Sequence, residues 1–235
     1  MSSFYYPELN SDTKIAAIQG SEFHHLINVM RNKVGDSVKL NSGKGYLATG
    51  TIMSIDRKKA EIELNESIFY EPAKNPFAIA FSLLKNKSDE WLVEKVTELG
   101  VKHLFPIKTQ YSVRTPSANT LSKFKLITLS TIKQCDNPYL PFISEIQTLK
   151  VYLKTIRQFG YEPVVASEKR PGIWLDDLQK DKSYCYIIGA EGGFSLEEFT
   201  LMIEYGVIEI SISQLILRAE TAAVTVAAQH SLLSK

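Results

Sequence analysis

Cysteine is scarce: only Cys135 and Cys185 occur in 235 residues. They form no CxxC pair and have no neighbouring histidine pair, so free thiols are expected and a zinc site is not. Histidine is nearly as rare, with four in the chain. The adjacent His24 and His25 lack a third ligand nearby, and a helix surface or a buried hydrogen-bonded role fits such a pair better than metal. No apolar run approaches the roughly eighteen residues of a membrane span. The opening MSSFYYPELN has no basic segment followed by an apolar one, so a cytoplasmic location is expected.

An excess of charge of one sign is also missing, the formal net charge being +1. Composition alone therefore gives no nucleic-acid signature. Dividing the chain changes this: residues 1–72 carry 8 Lys and Arg against 9 Asp and Glu, residues 73–170 carry 15 against 8, and residues 171–235 carry 4 against 9. The positive surplus sits in the middle, where a phosphate-binding face can be built without raising the total. A solvated helix surface would look the same.

With 44% hydrophobic and 23% charged residues, the chain can bury one large core or two smaller ones. The first seventy residues read as short strands, VGDSVKL, GYLATGTIMSI and KKAEIELNESIFY, with a turn at NSGKG. A helix precedes them in SEFHHLINVMRNKVGD, with Phe23, Leu26, Ile27 and Met30 at helical spacing. Near residues 70–76, FYEPAKNP has two prolines and no periodicity, which places a domain boundary between 1–72 and 73–235. FAIAFSLLK then predicts a strand, SDEWLVEKVTELGV a helix capped by Ser88 and closed by Gly100, and HLFPIK a second strand. This is a βαβ unit with a parallel sheet. After a helical piece at VYLKTIRQFGY, PVVASEKR reads as a strand running into a polar loop.

Two stretches near the end organise the rest. YCYIIGAEGGFSLEEF is a buried strand stopping at Gly189, Gly192 and Gly193, with Ser195 and Glu198 at capping-box spacing before a helix. EISIS is a further strand, followed by ILRAETAA and an Ala-rich terminal helix. In a doubly wound sheet the loops after residues 166, 188 and 212 fall at one edge, where ligands bind. A glycine loop alone is more often a plain turn. A dinucleotide-binding dehydrogenase would explain it, but GxGxxG with a following acidic residue is absent.

IGAEGGFS followed by ILRAETAA resembles the end of the SPOUT superfamily of RNA methyltransferases. Within it the chain is similar to the ribosomal small-subunit methyltransferase E family. HHL, VMR and GD (His24 to Leu26, Val29 to Arg31, Gly35 and Asp36) match its first domain, and Glu94 to Val101 its EKVTELGV segment. The resemblance implies an α/β SPOUT fold with a C-terminal trefoil knot, preceded by a small PUA-like β-barrel. It implies S-adenosylmethionine as cofactor and a uridine N3 in the decoding region of 16S ribosomal RNA as acceptor. It also implies a homodimer, to which the terminal helix could contribute unless it packs on its own sheet. Cofactor contacts are then expected from Ser167, Gly189, Gly192, Gly193, Ile212, Ile216 and Leu217. RNA contacts are expected from His24, His25, Arg31, Lys33, Arg114 and Gln134.

Uridine N3 carries a proton at neutral pH, and charge spreads to O2 and O4 as the proton leaves. A guanidinium there acts as an oxyanion hole does. Arg218 is expected in that role, with Glu191 orienting it or assisting proton removal. A structural ion pair of Arg218 with Glu191 or Glu220 is the competing reading. The chain departs from the family at Tyr111 and Asn137, where arginines are usual, at Ser213 to Leu215 in place of Gly-x-Arg, and at Ala190 in place of proline. A non-catalytic assembly factor and a SPOUT enzyme with another RNA target therefore stay open.

Overall fold

A computed structural model describes residues 3–168 and 172–233. Lys169 and Arg170, the end of the expected polar loop in PVVASEKR, lie outside the described residues. The chain folds as two compact units, Met1–Pro72 with Leu129–Leu140, and Ala73–Thr128 with Pro141–Lys235.

The first unit is a five-stranded sheet of β1 (Phe4–Tyr5), β2 (Ile15–Gln19), β3 (Ser37–Asn41), β4 (Tyr46–Ile55) and β5 (Lys59–Phe69) in the order β1-β3-β4-β5-β2. Alternate residues point inward, as a half-buried strand requires. Val38, Leu40, Ala48, Ile52, Ala60 and Ile62 form the core with Leu26. The β4–β5 register shifts at Thr49/Gly50 and at Ile52/Ser54. A Cβ on Gly50 would come within 2.6 Å of the Glu63 carbonyl, so glycine permits the close strand approach at this bulge.

Between β2 and β3, helix α1 (Gly20–His24) continues as a π-helical turn over His25–Val29. The Met30 N–H reaches back five residues to the His25 carbonyl at 2.9 Å. This wider turn changes the face predicted from 3.6-residue spacing. Leu26 is buried and Phe23 and Ile27 half-buried, but Met30 turns outward, 41% exposed. The segment Leu129–Leu140 completes the unit. Lys133 pairs with Glu22 at 2.7 Å and Asp136 with Lys39 at 2.6 Å. Buried Asn41 donates to the carbonyls of Ile132 (3.3 Å) and Asn137 (2.9 Å).

The second unit contains β6 (Ala78–Ser82), α2 (Ser88–Glu98), β7 (His103–Lys108), α3 (Thr120–Cys135, which runs on into the first unit's segment), β8 (Phe142–Ile143) and β9 (Gln147–Thr148). It continues with α4 (Leu149–Thr155), β10 (Glu162–Ala166), β11 (Tyr184–Ile188), α5 (Leu196–Glu204), β12 (Ile208–Ile210) and α6 (Ala219–Leu233). The sheet order is β12-β10-β11-β6-β7-β8, with β9 beside β7, and every pairing is parallel.

Parallel strands are covered on both faces, so their residues are apolar throughout and divide by parity. Ile79, Phe81, Tyr184 and Tyr186 face a core with α2 and α6, while Ala78, Ala80, Cys185 and Ile187 face one with α4 and α5. In α6, Ala223, Val226 and Ala227 are fully buried within the chain, so the small residues admit close packing at home. Among the described residues, no helix is long and apolar enough to cross a membrane.

Candidate functional site

The loops leaving β10, β11 and β12 meet at the carboxyl edge of the sheet, because β12, β10 and β11 are adjacent. The loops after β6 and β7 join them. Together they line a cavity of about 770 Å³, within the ~300–1,000 Å³ usual for small-ligand sites. Every expected cofactor residue lies on it: Ser167, Gly189, Gly192, Gly193, Ile212, Ile216 and Leu217. Glu191 and Arg218 line it as well.

The glycine loop is shaped by close approaches. A Cβ on Gly189 would lie 3.0 Å from the Phe194 ring, and one on Gly192 3.1 Å from Cβ of Tyr111. Gly193 has φ +71° and donates its N–H to the Ala190 carbonyl at 2.9 Å, a conformation suited to glycine. The capping box then starts α5. Ser195 Oγ accepts from Glu198 N–H at 3.2 Å, and Glu198 Oε2 accepts from Ser195 N–H at 3.0 Å. Glu198 Oε1 accepts in addition from Gln110 N–H at 2.8 Å, tying the loop after β7 to this helix.

Opposite lies the segment 211–218. No backbone hydrogen bond engages Ile216 or Leu217 among the described residues. Their amide and carbonyl groups are therefore available to a ligand, which is the donor and acceptor set that a backbone-read cofactor needs. The Ile212 carbonyl already accepts from Gln229 Nε2 at 3.1 Å.

Arg218 is exposed at the threshold of α6, where its carbonyl accepts from Ala222 N–H at 2.8 Å. Its guanidinium makes no ion pair or hydrogen bond among the described residues, so neither Glu191 nor Glu220 neutralises it. A cation beside the positive end of a helix dipole is electrostatically misplaced for stability. Glu191 turns the other way: its Oε1 accepts from the backbone N–H of Lys85 at 3.0 Å, across to the loop after β6.

The expected RNA contacts divide between the units. His24, Arg31 and Lys33 are exposed on and just after the π-helical turn, and Gln134 is exposed on Leu129–Leu140. His25 is half-buried edge-on to Phe4 at 5.6 Å. Arg31 adopts φ 58°, ending that turn. In the second unit Arg114 is paired with the fully buried Asp89. Its charge is committed to a carboxylate whose pKa burial pushes up and Arg114 pulls down.

Lys85, Asn86 and Tyr111 also line the cavity; of these the sequence marks only Tyr111, as a departure from the family's arginine. The rule that placed the other three loops applies equally to the loops after β6 and β7. Among the described residues, no cluster of three or more metal-ligating side chains occurs.

The parallel sheet with a glycine loop at its carboxyl edge is a SPOUT-type α/β fold, preceded in the chain by a PUA-like unit. This is the fold of the ribosomal RNA small subunit methyltransferase E from Neisseria gonorrhoeae bound to S-adenosyl methionine: TM-score 0.89, 22% identity, 99% of this chain and 98% of that one covered. The RNA methyltransferase domain family matches residues 71–231, and the RNA methyltransferase PUA domain matches residues 18–65. The chain belongs to the RNA methyltransferase domain family. It is similar to proteins named ribosomal RNA small subunit methyltransferase E from Rickettsia conorii (26% identical, 96% of this chain and 92% of the relative) and Bacillus subtilis (26% identical, 88% and 85%).

Proposed function

We propose that this chain methylates N3 of a uridine in the decoding region of 16S ribosomal RNA, using S-adenosylmethionine, in the cytoplasm and as a homodimer. Family membership, the names of the relatives and the S-adenosyl methionine bound in the Neisseria protein support the class of reaction. The observation that carries it here is the unpaired Arg218 on a cavity walled by a glycine loop and by free backbone groups. Leu215 and Ile216, 75% and 73% exposed beside that cavity, offer apolar surface for the second copy. A trefoil knot in the segments around the cavity belongs to the same proposal.

Gly189, Gly192, Gly193, Ile212, Ile216 and Leu217 would hold the cofactor through backbone groups, with Ser167 beside them. When bound, S-adenosylmethionine supplies a methyl group activated by its sulfonium. Arg218 stabilises the charge that develops on the uracil oxygens as N3 loses its proton. The Lys85 N–H holds one oxygen of Glu191, leaving the second to assist removal of the N3 proton. His24, His25, Arg31, Lys33 and Gln134 contact the RNA backbone, while Arg114 contributes only insofar as Asp89 releases it. N3 is hidden in Watson–Crick pairing, so the acceptor base must be unpaired or flipped.

The test is transfer of labelled methyl to small subunits from cells lacking this protein, followed by nucleoside analysis. We expect 3-methyluridine, and about a 100-fold or greater loss of kcat in Arg218→Ala with cofactor affinity retained, as for removal of an oxyanion-hole donor. Cofactor binding without any modified nucleoside would favour an assembly factor. Absence of cofactor binding would overturn the site.

A further inference from the structure

We propose that Tyr111 is the platform on which the acceptor nucleobase stacks. This rests on the methyl-transfer reading and names the group that receives the substrate base. The cavity has two halves. The expected cofactor residues follow β10, β11 and β12, whereas Tyr111 follows β7, on the far side of β6 from the glycine loop's own strand. Tyr111 lines the same cavity as the glycine loop and lies against Gly192, so a base resting on the ring sits beside that loop.

The ring is held in place by its backbone. Gln110 N–H donates to Glu198 at 2.8 Å, and Ser112 N–H donates to the Thr109 carbonyl at 3.1 Å. The hydroxyls of Ser82, Thr109 and Ser112 form a chain, with separations of 2.9 and 2.8 Å. On one side Tyr111 lies against Gly192, which has no side chain to displace it. Even so, Tyr111 is 44% exposed, and its hydroxyl has no hydrogen-bond partner among the described residues. A large aromatic side chain on a braced turn, open on a ligand cavity, is positioned for a flat partner. Every nucleobase offers a π-face, and stacking needs no charge.

The experiment compares wild type, Tyr111→Phe and Tyr111→Leu in methyl transfer to small subunits at varied subunit concentration, with S-adenosylmethionine affinity measured alongside. Phenylalanine keeps the π-face, whereas leucine keeps apolar bulk without it. We expect Phe to stay within about twofold of wild type and Leu to raise the KM for subunits about tenfold, inside the range that base–aromatic stacking supports. Cofactor affinity and kcat should move far less, because stacking holds the base before and during transfer. A wild-type KM in Tyr111→Leu overturns the proposal, as does an equal loss in Tyr111→Phe, which would assign the effect to the hydroxyl. A wild-type protein that transfers no methyl group overturns the underlying reading and this one with it, and is distinguished by failing before any substitution is made.

Discussion

His103 sits among Phe105, Phe142, Phe159 and Tyr161, its Nδ1 2.6 Å from the Tyr161 hydroxyl. Burial lowers its pKa from 6.5 to about 4, with Lys102 acting in the same direction. His230 is also lowered by burial, against a smaller upward pull from the Asn75 carbonyl. Its Nε2 lies 3.0 Å from that carbonyl, so this nitrogen carries the proton and Nδ1 accepts from the Tyr186 hydroxyl at 2.9 Å. His103 is thus neutral in the native state, while the unfolded chain takes up a proton near the ordinary value. Its contribution to stability is fully present above about pH 6.5 and is lost as pH falls toward about 4, and the lowered His230 acts in the same sense. Urea midpoints measured across that window should fall with pH. The double substitution His103→Phe with Tyr161→Phe, which removes both polar ends together, should flatten part of the slope. Cys185 is no competitor for chemistry, since burial pushes its thiol up to about 12.

Among the elements, α5 depends most on a local signal. Ser195→Ala removes the acceptor for Glu198 N–H and should cost about 1 kcal/mol, read as a fall of about 2–4 °C in the melting temperature. This cap was legible in the sequence because both partners lie within four residues. So were the βαβ unit and the strand leading to the glycine loop, whose apolar runs reflect burial on both faces. The start of α2 was not legible: Ser88 is already inside the helix, and Lys87, at φ 62°, precedes it with no side-chain cap. Nothing in local propensity predicts a lysine in left-handed backbone. The π-helical turn was hidden as well, since Phe23, Leu26, Ile27 and Met30 keep helical spacing in the sequence although the turn carries Met30 outward. Glu94 and Glu98 stand one turn apart, where like charges repel, and Lys95 offsets this by bridging them at 2.7 Å to each. Most of the cavity was readable from the loops after β10, β11 and β12. Its other wall, Lys85, Asn86 and Tyr111, belongs to no glycine motif, and the rule on strand ends would reach it only once β6 and β7 are placed beside β11.

For the whole molecule, the decisive feature is that Leu129–Leu140 belongs with residues 1–72 rather than with its sequence neighbours. Asn41 is the tie: besides its two donated bonds, its Oδ1 accepts from Gly43 N–H at 2.8 Å. Asn41→Ala would strand buried backbone groups and should lower unfolding free energy by about 2 kcal/mol or more, measurable by urea titration with unchanged native circular dichroism. The same arrangement has a consequence for biosynthesis. As the polypeptide emerges from the ribosome, the amino-terminal sheet is fully translated at Phe69, about sixty residues before the strip that seals it begins at Leu129. Completion of the first unit must therefore wait until residue 140 has cleared the exit tunnel, by which time β6, α2 and β7 are already outside and free to pair.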